Sequence, residues 1–193
     1  MPRSPCIELE PAQRQALLQQ ARRSIEQGIG SGRPLPVALD ALGPTMQNPA
    51  AVFVTLKKDG ALRGCIGSLE ARVALVQAVA DSAFNAAFRD PRFSSVDGDE
   101  LQRIEIEISV LSEMQDWRPG SRQSLLQGLR PGTDGLLIQD QGHRATFLPQ
   151  VWEKMASAEE FLGQLMMKAG LPAGYWSDTI QVQRYEVLSF HEN

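Results

Sequence analysis

Between residues 104 and 110 the chain reads Ile104-Glu105-Ile106-Glu107-Ile108-Ser109-Val110, apolar and polar side chains in strict alternation. A pleated strand sends successive side chains to opposite faces, so this segment buries one face and leaves the other to water. Glu105 and Glu107 therefore read as the solvated row of a sheet and not as a paired-carboxylate site. Any fold for this chain must supply a sheet with one wet face.

The remaining periodicities supply its neighbours. Ala51 to Leu56 reads as a buried strand, Lys57-Lys58-Asp59-Gly60 carries the Asp-Gly signal of a tight hairpin, and Ala61 to Ile66 is the returning strand. Gly135 to Gln139 and His143 to Leu148 form a second hairpin-like pair around Asp140-Gln141-Gly142, and 179–190 reads as a last, irregular strand. Helical spacing covers 12–27, opened by Pro11 and stopped by Gly28-Ile29-Gly30-Ser31-Gly32. It covers 73–88, closed at Asp90-Pro91, and two short helices fall at 150–156 and 158–169. A Pro-punctuated connection spans 33–49, and the polar stretch 113–132 holds one amphipathic turn near Leu125 and Leu129. Hairpins with helices between them indicate an α+β fold, a mainly antiparallel sheet with flanking helices. A single domain is expected over 12–190, with a smaller lobe around 113–132 and a short N-terminal extension over 1–11.

With 193 residues, 42% of them hydrophobic, there is material for one such core. Nineteen basic against 23 acidic residues give a net charge of -4, which argues against nucleic acid, whose binding rests on Lys and Arg displacing counterions. No secretory signal is visible at the start, and the longest apolar run, Ala50 to Leu56, is far short of the roughly 20 residues of a membrane helix. Two widely separated cysteines, Cys6 and Cys65, suit a reduced chain, so no membrane association and a cytoplasmic location are expected.

The segment richest in chemistry is Leu62-Arg63-Gly64-Cys65-Ile66-Gly67. Strand alternation places Arg63 and Cys65 on one face, about 6.5 Å apart at Cα, within reach for a guanidinium to stabilise a thiolate. Gly64 and Gly67 would leave the backbone beside the sulfur open to a ligand. The opposing reading is that Cys65 is a small packed residue and the glycines only form bulges.

The same hexapeptide, preceded by Phe53-Val54-Thr55 and followed in order by Asp90-Pro91-Arg92-Phe93, the 104–111 strand, Gly135 to Ile138, Gly142 to Val151, Phe161-Leu162 and Lys168-Ala169-Gly170-Leu171-Pro172, resembles the AMMECR domain family. The resemblance runs from about residue 12 to 190. It implies a compact α+β protein with a larger and a smaller lobe and a cleft lined by the shared motifs. Prokaryotic members are similar to protein A of the AmmeMemoRadiSam system, which implies Memo-like and radical-SAM proteins as partners. Many of them carry a cysteine two residues before the Lys of Lys-Ala-Gly-Leu; here that position is Met166.

Asp90 and Arg92 are candidates for the site, or for a local ion pair at the end of a helix. Arg144 is a candidate anion ligand, with Thr146 on the same side of its strand, and His143 a candidate base for Cys65. Met166, Met167, Trp152 and Trp176 read as packing residues. The glycine-rich run at 28–32 follows a helix and so is no dinucleotide fingerprint; there is no phosphate loop, no nucleophile elbow, no zinc spacing and too few thiolates for an iron–sulfur cluster, so these motifs leave the cofactor unknown. Two functions from different classes follow. One is a cysteine-dependent enzyme or enzyme component acting on a small anionic ligand at Cys65; the other is a non-catalytic module recognising a peptide or a Memo-like partner.

Overall fold

The computed structural model describes residues 8–39 and 42–192; Cys6 and most of the extension expected over 1–11 lie outside the described residues. In chain order the elements are α1 (Pro11–Ser31), α2 (Pro44–Gln47), β1 (Val52–Lys58), β2 (Ala61–Gly67), α3 (Leu75–Phe88), α4 (Gly98–Leu101), β3 (Ile104–Leu111), β4 (Gln115–Trp117), α5 (Arg122–Gly128), β5 (Gly135–Asp140), β6 (His143–Phe147), a 3-10 turn (Pro149–Lys154), α6 (Ala158–Lys168), β7 (Gln181–Tyr185) and β8 (Val187–His191). The class is α+β, as the hairpins indicate, but there are two four-stranded sheets, ordered β2-β1-β3-β8 and β4-β7-β5-β6. They belong to two compact units, one of residues 8–111 with 188–192, the other Ser112–Val187.

In the larger unit the inner face of the sheet contributes Val52, Val54, Leu56, Ile106, Ile108 and Val110, packed under Leu17 and Ile25 of α1 and Val79 and Ala83 of α3. Each such side chain stabilises the fold by roughly 1.5–3 kcal/mol on full burial. Leu9, within the stretch expected as an extension, is part of this core. The glycine run stops α1 at its last member: the helix passes Gly28, which lies against the rings of Phe84 and Phe88, and ends at Ser31 with Gly32 in the left-handed conformation as its cap.

The β1–β2 hairpin is tight, with Asp59 and Gly60 both at positive φ, the backbone that an Asp-Gly turn supplies. Its register nevertheless slips. Lys58 faces Ala61 and Lys57 faces Leu62, but Leu56 faces Gly64 and Thr55 faces Cys65, so Arg63 is an extra, unpaired residue of β2.

The smaller unit packs Leu136, Ile138 and Val182 from its sheet against Leu125 of α5 and Phe161, Leu162, Leu165 and Met166 of α6. Trp152 stacks on Phe161 with ring centroids 3.9 Å apart. The segment expected as one irregular strand over 179–190 divides at Glu186 into β7 and β8, which belong to different sheets. Among the described residues no helix is long and apolar enough to cross a membrane.

Two glycines separate packing from propensity. A β-carbon at Gly64 would overlap the Ala86 carbonyl oxygen, whereas one at Gly30, inside α1, meets nothing within 4 Å. In thermal unfolding, Gly64→Ala is expected to cost about 1–3 kcal/mol and Gly30→Ala to add about 0.5–1 kcal/mol. Equal effects of the two substitutions would contradict this packing.

Candidate functional site

The outer face of the larger unit's sheet is polar, and its centre is a row of three cross-strand partners, Cys65 on β2, Thr55 on β1 and Glu107 on β3. The Cys65 thiol is half-buried. The Thr55 hydroxyl donates to its sulfur over 3.3 Å. Glu107 is paired with Lys57 at 2.8 Å. On the neighbouring row, Ser109 of β3 and Ser189 of β8 join hydroxyls at 2.9 Å.

β2 is an edge strand, so its outward backbone groups have no strand to pair with. Asp90, just past the end of α3, takes that place. Its carboxylate is 2% exposed and accepts from the Cys65 N–H at 2.9 Å, the Arg92 N–H at 3.1 Å, and the Arg92 Nε and Nη2 at 2.9 and 2.6 Å. The same Arg92 Nη2 reaches the Cys65 carbonyl at 3.3 Å. Aspartate and arginine together thus act on Cys65 as a neighbouring strand would, one accepting from its N–H and the other donating to its C=O. The Arg92 guanidinium, then the two amides, hold the Asp90 carboxyl well below the usual carboxylate range against the opposing effect of burial. The Arg92 side chain itself stays 53% exposed.

Arg63 takes a different partner from the one its spacing suggests. As the extra residue of β2 it turns to Glu100, donating through Nε at 3.1 Å and Nη2 at 2.8 Å, and through Nη1 to the Ser94 carbonyl at 2.9 Å. Lys58 reaches the same carboxylate at 2.6 Å. These two cations, Arg63 first, lower the Glu100 carboxyl to about 2. The guanidinium that contacts the Cys65 residue is Arg92. Phe93 lies beside both arginines, with its ring centroid 5.9 Å from Arg63 and 5.5 Å from Arg92.

Gly64 and Gly67 are also reassigned. The openness expected there is absent, because Gly64 is covered by the Ala86 carbonyl and Gly67 by Val52 and Phe53. Their lack of a side chain lets α3 and β1 approach β2.

His143, Arg144 and Thr146 lie on β6 of the other unit. His143 Nδ1 is 2.8 Å from the Ala169 carbonyl, which fixes that nitrogen as a donor and leaves Nε2 as the basic one. Thr146 is not open to a ligand: its hydroxyl donates to the Leu136 carbonyl at 2.8 Å and lies 2.6 Å from the Tyr185 hydroxyl, whose pKa burial pushes up to about 12. Arg144 is exposed and makes no hydrogen bond or ion pair with a described residue. Met166 is fully buried, while Met167 is exposed. The motif residues Cys65, Asp90 and Arg92 therefore meet in one unit. Thr55 and Glu100 join them, and spacing alone gave neither, since one depends on the slipped register and the other on a contact 37 residues away. No three His, Cys, Asp or Glu side chains among the described residues gather as metal ligands.

The AMMECR1 family model matches residues 18–190. A protein of Methanothermobacter thermautotrophicus is 37% identical over 179 residues, covering 92% of this chain and 93% of the relative. One of Aeropyrum pernix is 34% identical over 197 residues, covering 96% and 81%. The crystal structure of an uncharacterized protein from Pyrococcus horikoshii superposes with a TM-score of 0.82 at 31% identity, covering 92% of this chain and 90% of that one.

Glu100 gives the larger unit a readable acid response. A carboxyl lowered in the folded state contributes stability that is complete above its ordinary value, 4.5, and lost as pH falls toward about 2. Glu100→Gln removes that titration. The difference in melting temperature between wild type and variant is expected to shrink as pH is lowered through this window, and a constant difference would contradict the assignment.

Proposed function

Because the chain belongs to the AMMECR1 family, whose model spans residues 18–190, we propose that it works on a small anionic ligand through the Cys65 thiolate, as a cysteine-dependent enzyme or enzyme component of an AmmeMemoRadiSam-type system. The observation that carries this reading is the setting of the sulfur. It is half-buried, receives the Thr55 hydroxyl, and sits in a strand whose backbone is gripped by a half-exposed guanidinium. A hydroxyl donor and a nearby cation are the kind of surroundings in which nucleophilic thiols work. In this scheme the thiolate attacks or anchors the ligand, Arg92 attracts its negative charge, and Asp90 positions Arg92 and Cys65 together.

A second reading, a non-catalytic binding module or adaptor for a peptide or a Memo-like partner, is favoured by a specific feature. Arg63 and Arg92 are each already engaged by a carboxylate, Glu100 and Asp90.

Alkylation separates the two. In a Cys6→Ser background, native Cys65 is expected to react with both iodoacetate and iodoacetamide near pH 6.5. The iodoacetate-to-iodoacetamide rate ratio should fall several-fold in Arg92→Gln and be retained in Arg92→Lys, which keeps the charge. Modification of Cys65 only in denaturant, or a ratio indifferent to Arg92, would overturn the thiolate reading in favour of the adaptor.

A further inference from the structure

The sheet of the smaller unit carries three glutamines on the face away from its helix-packed core, and the Cys65 chemistry makes no use of them. A cavity of about 650 Å³ opens there, bounded by Gln139 of β5, Gln181 and Gln183 of β7, and the Trp176 segment. We propose that this cavity binds a purine nucleoside, a planar base with a hydrogen-bonding edge carrying a neutral, hydroxylated sugar.

The floor supplies the edge recognition. Gln139 and Gln181 are direct cross-strand partners and both are exposed. Direct partners on antiparallel strands hold their β-carbons about 4.5–5.5 Å apart, so the two amides can reach one base edge. Neither amide is bonded to a described residue. A glutamine amide presents a donor and an acceptor together, the complement of the N6 and N7 groups of adenine. Gln183, next along the same face, is steadied by Asp116 at 2.8 Å.

The wall supplies the stacking surface, and it is held in place in advance. Trp176 is half-buried, packed on the core from one side while it lines the cavity. The residues around it are tied to a single buried carboxylate. Asp140 accepts from the hydroxyls of Tyr175 at 2.7 Å and Thr179 at 2.8 Å, and from that of Ser177. Such anchoring removes ordering cost from binding, and an indole is an effective platform for a base.

The sugar end is met by polar groups. The lining carries Asp116, Asp178 and Arg118, and Arg144 of β6 stands beside Gln139. The exposed Asp178 suits the hydroxyls of a ribose.

Titration calorimetry on the full chain tests this with adenosine, ATP and glucose. Saturable adenosine binding is expected, no tighter binding of ATP, and none of glucose. Gln139→Leu/Gln181→Leu should weaken adenosine about tenfold or more, as loss of a bidentate edge contact does. Trp176→Leu should weaken it too, and Trp176→Phe should largely retain it. Cys65→Ser should leave it unchanged, so that this site fails or stands apart from the thiol. Because the two glutamines are exposed, the double variant is expected to melt with the wild type. No saturation by adenosine, equal binding by the double variant, or tighter binding of ATP or glucose would overturn the proposal.

Discussion

The larger unit turns on a carboxylate that has been taken out of water. Removing the Asp90 charge from solvent is costly, and an unpartnered charge in that place would destabilise the fold by several kcal/mol. Four donated hydrogen bonds offset the cost, three from Arg92 and one from the backbone of Cys65. The arrangement also fixes position. Ala86, four residues earlier in the chain, covers Gly64 on the adjoining strand residue, so the end of α3 meets the sheet edge at two successive points of β2. Cys65 cannot shift without releasing both.

This explains why the Asp-Pro-Arg-Phe and Arg-Gly-Cys-Ile-Gly segments serve one purpose despite lying 25 residues apart at their point of contact. The first supplies the missing strand partner of the second. Its arginine is long enough to satisfy a buried carboxylate and a backbone carbonyl while keeping half its surface in water. In each sheet one face is apolar and sealed by helices, and the opposite face carries the exposed polar side chains. The chemistry proposed for this protein, the thiol in one unit and the paired amides in the other, lies on those polar faces.

Much of the fold was legible because it is local. The alternation over 104–110, the Asp59-Gly60 turn and the hairpin around Gln141-Gly142 each carry their own geometry, and each appears as read. What was not legible depends on tertiary contacts. The bulge at Arg63 leaves no mark in composition, yet it pairs Thr55 with Cys65 and turns Arg63 toward Glu100. The glycines at 28 and 64 look alike as breaks in pattern, but each is small because a neighbouring element lies against it. Nor does periodicity reveal that one apolar run over 179–190 serves two sheets, since both halves keep strand spacing. The site was legible as a set of residue types and not as a set of partners.

Asp90 stands in for a missing strand at Cys65, and amide hydrogen exchange measured residue by residue reads that substitution directly. In the wild type the Cys65 amide should be strongly protected although it lies on an edge strand. In Asp90→Ala that protection should fall toward the level of an unpaired edge amide, while Val54 and Ile108 in the sheet interior keep theirs relative to the variant's global stability. A Cys65 amide that exchanges freely in the wild type, or is equally protected without the Asp90 carboxylate, would contradict the account.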